Sequence, residues 1–354
     1  MMRTICCFLS NAIDKASPVF LVSLCCFSLL ACTPNDQPRV YRLEGRTMGT
    51  TYHITAVLRG SQSVAENTLQ MDVDKLLENV NQIMSTYIPD SELSMLNQLP
   101  VGQAIVVSQP LFDILEMSER VSVLSGSAFD VTVGPLVNLW GFGPKGLPTK
   151  KPSQQALMEA RSRVGHQFVE LDINKRQVSK RAEVYIDLSA IAKGYGADAI
   201  AVLFLRYGIN DYMIELGGEL AVAGKNPAGI PWRIGVEQPT LVQTGVVEAV
   251  SVPSGGIATS GDYRNYFELE GKRYSHTINP NTGVPIEHTL ASVTVVAESA
   301  AMADALATAI NVLGPEAGYE LALKNKVAAY FIIRHENGFI SKSSPEFEQY
   351  RVKL

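Results

Sequence analysis

The order of elements along the chain predicts an α+β fold with a mixed or largely antiparallel sheet flanked by helices. Strand-like and helix-like segments are interspersed without the strict alternation of a doubly wound fold. The pair Gly217-Gly218 lies between two strand-like segments, which is typical of a tight reversal between neighbouring strands. With 354 residues, of which 46% are hydrophobic and 18% charged, the chain has a globular composition and can bury a substantial core.

Apolar spacing predicts the individual elements. Predicted strands cover residues 50–58, 184–188, 212–216, 220–224, 232–237, 246–252, 290–297 and 328–334. Predicted helices cover residues 69–87, 110–124, 153–163 and 190–207. Another helix follows the cap Ser299 and ends at Gly314-Pro315, and a further helix precedes the strand at residues 328–334. Residues 130–146 are rich in glycine and aromatic side chains, and we expect them to form a functional loop around a short helix.

Charge and cysteine content exclude several classes of function. The net charge of −5 gives no support to nucleic-acid binding, which usually shows as a basic patch. All five cysteines lie within the first 32 residues. The body of the protein therefore has no disulfide framework, thiolate metal site or cysteine nucleophile.

The N-terminus predicts export and a lipid anchor. Residues 19–30 form an apolar run of signal-peptide length, and the run ends in Leu29-Leu30-Ala31-Cys32, which resembles the bacterial lipobox. We therefore predict a signal peptide over residues 1–31, a lipid-anchored tether over residues 32–40 and one exported domain over residues 41–354. An ordinary cleaved signal, with Cys32 incidental, is the alternative.

A carboxylate and a hydroxyl lie one turn apart in an apolar helix near the C-terminus. Asp304 and Thr308 are four residues apart, so they share a helix face among side chains that cannot hydrogen-bond to them. A buried carboxylate needs a cation or a donor, and two oxygen ligands on one face suit Mg²⁺. The alternative is a buried aspartate held by backbone amides.

Two further segments contain residues that could act in catalysis. Lys193 lies near a helix start, where a cation is unfavourable unless it serves an anion such as a phosphate, and Asp187 could orient it. The alternative is a local ion pair.

Residues 258–285 are dense in polar groups around His276, the obvious proton acceptor near neutral pH. A solvated or structurally bonded histidine is the alternative. Tyr87, after a helix end, could stack on a planar ring.

Eight short motifs in order resemble the ApbE family, the FAD:protein FMN transferases. They cover residues 47–50, 85–97, 129–136, 187–194, 215–218, 260–264, 274–276 and 302–308, which span nearly the whole mature chain. The resemblance implies an enzyme that cleaves the pyrophosphate of FAD, attaches FMN through a phosphoester to a threonine or serine of a target protein, and releases AMP. It implies flavin-acceptor subunits of the Na⁺-translocating NADH:quinone reductase or the Rnf complex as targets. It also implies a location on the periplasmic side of the inner membrane.

The resemblance also implies site residues. Mg²⁺ would be held by the backbone of Ala190 and by Asp304 and Thr308, with position 307, here Ala307, contributing at most its backbone. The FAD contacts map onto Met48, Tyr87, Ala128, Phe129, Asp130, Asp187, Lys193 and Ile278. His276 is the candidate base for the acceptor hydroxyl, and Asp262 is the second candidate.

Two other functions remain open from the sequence. With water as the acceptor, the same site would be an FAD pyrophosphatase that yields FMN and AMP. Alternatively, the protein could be a non-catalytic lipoprotein that binds FAD without consuming it.

Overall fold

The computed structural model describes residues 37–60, 62–143, 151–239, 245–261, 266–269, 271–336 and 338–352. The helices are α1 (Glu66–Met84), α2 (Glu92–Gln98), α3 (Gln109–Leu124), α4 (Gly134–Leu139), α5 (Gln154–Arg161), α6 (Ala192–Arg206) and α7 (Ala300–Asn325). The strands are β1 (Arg39–Thr47), β2 (Thr50–Leu58), β3 (Ala104–Val106), β4 (Val169–Asp172), β5 (Gln177–Lys180), β6 (Asp211–Leu216), β7 (Glu219–Ala223), β8 (Ile234–Glu237), β9 (Val246–Val250), β10 (Ser254–Gly261), β11 (Tyr266–Leu269), β12 (Lys272–Ser275), β13 (Leu290–Ala297), β14 (Ala328–His335) and β15 (Gly338–Ser343). The predicted signal peptide and Cys32 lie outside the described residues.

An eight-stranded sheet organises the molecule, in the order β1-β2-β6-β7-β10-β13-β14-β15. Its pairs from β2 through β15 are antiparallel. Two tight turns build the part of the sheet that matters for the site. Met48-Gly49 joins β1 to β2, and Gly217-Gly218 joins β6 to β7; all four residues have positive φ, which two-residue hairpin loops of type I′ require.

The interior strand β13 is buried on both faces. Val293 and Val295 pack in one core cluster with helix α7, whereas Val296 packs in another cluster with Trp232 and Phe347. This arrangement explains why residues 290–297 are a nearly continuous apolar run and do not alternate between polar and apolar residues.

Helix α7 is buried along most of its length and carries an N-cap. The Ser299 hydroxyl accepts a hydrogen bond from the Met302 amide at 3.2 Å. Gly314 has non-helical backbone angles inside α7, and Pro315 follows it. Pro315 has no N–H for the carbonyl four residues earlier, that of Asn311, and His288 Nε2 lies 2.6 Å from this oxygen in its place.

The predicted fold class is confirmed, and one predicted strand is wrong. Residues 184–188 form no strand; Tyr185 makes only an isolated bridge to Val133, and the chain continues as a loop into α6. The Asp187 amide is bonded to the Val131 carbonyl at 2.7 Å, so this apolar run is a buried loop. Gly314-Pro315 interrupts α7 where the helix after Ser299 is predicted to end, and the helical residues that continue to Asn325 correspond to the further predicted helix. Within the described part of the chain, no helix has the length and apolar content to cross a membrane.

Candidate active site

A cleft of about 1420 Å³ is lined by loops, turns and strand ends that are far apart in the sequence. The β1–β2 turn, the end of α1, the loop before α6, the β6–β7 turn, strands β8 and β10, and helix α7 all contribute. Predicted site residues in its lining are Met48, Tyr87, Asp187, Ala190, Lys193, His276, Ile278, Asp304 and Thr308. The fold therefore brings nine predicted residues from five separate stretches of chain to one cavity.

Three charged side chains meet in this cleft. Lys193 Nζ lies 3.7 Å from Asp304 Oδ2 and 3.4 Å from Glu219 Oε1. It also donates to the Ser189 carbonyl at 3.4 Å. One ammonium group is thus shared by two carboxylates, and the carboxylate side chains are each only 7% exposed.

Close packing of two helix starts places Asp304 beside Lys193. A Cβ on Gly194 would lie 2.3 Å from the Ala300 carbonyl oxygen, so only glycine permits this approach of α6 to α7. The Gly194 amide then donates to Asp304 Oδ2 at 3.3 Å. Asp198, one turn further along α6, accepts hydrogen bonds from the amides of Ala300 and Ala301, both at 2.8 Å. These contacts fix the first turn of α7, directly before Asp304.

Burial and mutual attraction shift the pKa values of the charged group. Burial and the neighbouring Asp304 raise the pKa of Glu219 to about 8, and Lys193 opposes that rise. Burial also raises the pKa of Asp304, opposed by Lys193 and the Gly194 amide. Burial lowers the pKa of Lys193, but attraction to Asp304 and Glu219 outweighs it, and the net pKa lies above the ordinary value. Lys193 therefore stays charged.

The residues predicted to hold a metal fit that role. Asp304 and Thr308 line the cleft from successive turns of α7, and Ala190 lines it from the loop before α6. Among the described residues, no backbone hydrogen bond reaches the Ala190 carbonyl, which leaves that oxygen open to a cation. No group of three or more His, Cys, Asp or Glu side chains suited to a metal occurs in the described part of the chain, so a metal here would use oxygen ligands of mixed type. Ala307 is buried and does not line the cleft.

The segment 128–130 lies outside the cleft lining. Ala128 and Phe129 are buried, and Phe129 belongs to the main hydrophobic core. Asp130 accepts hydrogen bonds from the Thr132 amide at 2.8 Å, the Thr132 hydroxyl at 2.6 Å and the His166 amide at 2.9 Å. Burial raises the pKa of Asp130, and these bonds oppose the rise. FAD contact by these three residues stays a prediction.

His276 and Tyr87 contribute rings to the cleft lining. The His276 ring packs edge-on against Phe142, with ring centroids 6.3 Å apart. Tyr87 is 66% exposed, so one face of its ring is free to stack on a planar group. The second candidate base, Asp262, lies outside the described residues.

Glu219 is the site residue that sequence reasoning missed, although a signal for it exists. A two-residue turn at Gly217-Gly218 places residue 219 directly opposite Leu216, and the two are paired in the structure. Leu216 is fully buried. A charged residue opposite a buried leucine on the same sheet face is unexpected in a purely structural hairpin, and it indicates a functional carboxylate.

Comparison with known proteins places these residues in a family context. The family model described as "ApbE family" matches residues 48–331. A relative from Haemophilus influenzae named FAD:protein FMN transferase is 44% identical over 91% of this chain and 94% of its own length. One of the same name from Vibrio cholerae is 42% identical over 94% of this chain and 99% of its own.

Solved structures give the same result. The flavin transferase ApbE from Vibrio cholerae superposes with a TM-score of 0.82 at 40% identity, covering 88% of this chain and 99% of that one. The apo flavinyl transferase ApbE from Pseudomonas stutzeri superposes with a TM-score of 0.81 at 38% identity, covering 89% and 97%.

Proposed function

Because the chain belongs to the ApbE family, we propose that it is a transferase that moves FMN from FAD onto a threonine or serine hydroxyl of a target protein and releases AMP. The predicted family and the predicted enzyme class are confirmed by relatives that match nearly end to end. The hydroxyl acceptor, the metal and the partner proteins are the parts that we propose.

The observation that carries the proposal is the sharing of Lys193 between two carboxylates in a large cleft. The cleft volume of about 1420 Å³ exceeds the roughly 300–1,000 Å³ typical of small-molecule pockets. A dinucleotide with a flat ring system at one end needs such a volume. Lys193 offers a positive charge to its diphosphate, and Tyr87 offers a ring face to the flavin.

In the proposed mechanism, the residues bind, orient and move one proton. Ala190, Asp304 and Thr308 would hold Mg²⁺, which when bound neutralises charge on the diphosphate of FAD. Lys193 interacts with the same diphosphate and balances the negative charge that develops on the departing AMP. Phosphoryl transfer depends chiefly on such positioning and charge balance.

His276 is the proposed base. Its imidazole would accept the proton of the acceptor hydroxyl as that oxygen attacks the FMN phosphorus, and the bond from this phosphorus to the bridging oxygen breaks. General-base assistance of this kind typically contributes ~10²–10⁴-fold. Asp262 remains the second candidate.

Mass spectrometry of an acceptor tests this proposal. A purified flavin-acceptor subunit of an Na⁺-translocating NADH:quinone reductase or Rnf complex is incubated with the protein, FAD and Mg²⁺. We expect a mass gain equal to FMN on one threonine or serine, together with one AMP per modified subunit. FMN in place of FAD is the control and should give no product.

Omitting the acceptor separates the transferase from a hydrolase. We expect slow AMP release without acceptor and fast release with it. Equal rates in both cases, with no mass gain on the subunit, would instead establish an FAD pyrophosphatase. FAD that binds and is not consumed in either case would establish a binding protein.

We also propose that Cys32 carries a lipid that anchors the protein on the periplasmic side of the inner membrane. The lipobox-like sequence before Cys32 supports this proposal. Labelled palmitate should be incorporated into the wild-type protein and not into Cys32→Ser. Incorporation into neither protein would contradict the anchor.

A further inference from the structure

Glu219 has one carboxylate oxygen engaged and one without a partner. Oε1 lies 3.4 Å from Lys193 Nζ, whereas Oε2 is buried and has no hydrogen-bond partner among the described residues. The side chain is only 7% exposed and belongs to the cleft lining. Oε2 is therefore shielded from bulk water at the wall of the site.

The local charge is unbalanced. With both carboxylates ionised, Asp304 and Glu219 bring two negative charges, whereas Lys193 brings one positive charge. Burying an ionised carboxylate without full compensation is costly, and folded proteins normally pair or neutralise such groups. A purely structural role would be served better by an uncharged glutamine of the same shape. The arrangement thus calls for a further cation near Oε2.

We propose that Glu219 is an additional acidic member of the divalent-cation site, acting through Oε2 either directly on the ion or on one of its bound waters. Lys193 holds Oε1 and so fixes the orientation of the carboxylate. Asp304, which lies 3.7 Å from the same ammonium, belongs to the proposed metal ligands. This inference rests on the metal role in the proposed function and adds Glu219 to it.

Manganese binding to the protein alone tests the inference. Mn²⁺ is titrated into metal-free wild-type protein and the Glu219→Gln variant without FAD or acceptor, and free Mn²⁺ is measured by electron paramagnetic resonance. Loss of a group that supports a metal typically lowers affinity by ~10–100-fold. We expect at least a roughly tenfold weaker Kd for Glu219→Gln. Glu219→Asp, which keeps the charge, should lie between the two.

Glu215→Gln is the matched control. Glu215 lies on the same hairpin and lines the same cleft, but its carboxylate is bonded to the Gly218 amide and to His53. Its substitution should leave the Kd for Mn²⁺ within about twofold of wild type, a change of roughly 0.4 kcal/mol or less. An equal loss in both variants would mean that any charge in the cleft matters and would overturn a specific role for Glu219.

Thermal unfolding without metal separates function from structure. If Glu219 serves a cation, Glu219→Gln removes a buried carboxylate that Lys193 engages at one oxygen only, and its melting temperature in EDTA should equal or exceed that of wild type. A clear decrease would assign Glu219 a structural role and overturn the inference.

The remaining outcomes separate the two proposals. Wild-type protein that binds no Mn²⁺ would refute the metal role itself, and the inference would fail with it. Wild-type protein that binds Mn²⁺ as tightly as Glu219→Gln would overturn the inference alone.

Discussion

Asp130 and Glu219 are equally buried carboxylates, each in a residue 5% exposed, yet their surroundings differ. Asp130 accepts three hydrogen bonds from Thr132 and His166, so both of its oxygens are engaged. Glu219 has one oxygen on Lys193 and one with no partner in the described part of the chain. Burial alone therefore does not identify a functional acid. The number of donors that the fold itself supplies separates a carboxylate that stabilises a loop from one that is ready for a ligand.

The largest expected effect is the loss of FMN transfer on substitution of Asp304 in the cleft. Asp304→Asn should abolish FMN transfer, with a loss greater than the roughly 10²–10⁴-fold of a missing general base, because the metal loses its charged ligand. Lys193 keeps Glu219 as a counter-ion, so the fold should persist. Flavinylation rates at limiting Mg²⁺ measure the effect, and circular dichroism checks the fold. A rate equal to wild type would refute the metal role of α7.

A smaller loss is expected at His276. His276→Ala should lower the transfer rate by ~10²–10⁴-fold because the acceptor hydroxyl loses its proton acceptor. Binding of FAD, measured by flavin fluorescence, should change little. Variants at Asp262 provide the comparison: a larger loss there than at His276 would exchange the roles of the two candidates.

At Asp130 the expected effect is on the stability of the fold. Asp130→Asn should destabilise the protein by about 2–3 kcal/mol, because a buried amide group cannot accept from all three donors. Urea unfolding measures this change, and Glu219→Gln serves as the matched substitution that should not destabilise. If both variants lose stability equally, the distinction between the two carboxylates is wrong.

The smallest expected effect is a pH dependence set by Asp198. Burial raises the pKa of Asp198 to about 6, while hydrogen bonds from the amides of Ala301 and Ala300 oppose the rise. Since the folded state holds this proton more tightly than the unfolded chain, the free energy of unfolding should fall as pH rises from about 4 to about 6. Urea unfolding measures this fall in the free energy of unfolding between about pH 4 and pH 6. In Asp198→Asn the fall should be smaller by on the order of 1–2 kcal/mol. An unchanged pH dependence of the free energy of unfolding in this variant would contradict the raised pKa of Asp198.

Much of the fold was predictable because its long elements have strong periodicity or long apolar runs. Residues 50–58 and 290–297 form strands with the predicted bounds, and α3 differs from its prediction by one residue. The strand predicted at residues 184–188 is wrong because a short apolar run can be a buried strand or a buried loop. Strand β10 was missed because its glycines suggest a loop, yet a Cβ on Gly256 would lie 2.1 Å from the Ala300 nitrogen. Tertiary packing, which local sequence does not report, selects glycine there.

The site was predictable in its parts but not in its charge balance. Lys193, Asp304 and Thr308 stood out as polar groups in apolar or helix-start positions, and the fold brings them to one cleft. The ion pair between Lys193 and Glu219 joins two different elements across 26 positions of the sequence. Only the hairpin register at Gly217-Gly218 could have indicated it.

The break in α7 has a consequence for which substitutions the chain tolerates together. Pro315 leaves the Asn311 oxygen without its usual helical donor, and an imidazole from a distant loop, that of His288, supplies one. A residue with a backbone N–H at position 315 could supply that donor in place of the imidazole. Loss of the imidazole alone would leave the buried Asn311 oxygen without a hydrogen-bond donor. Positions 288 and 315 should therefore vary as a pair among natural sequences of this fold.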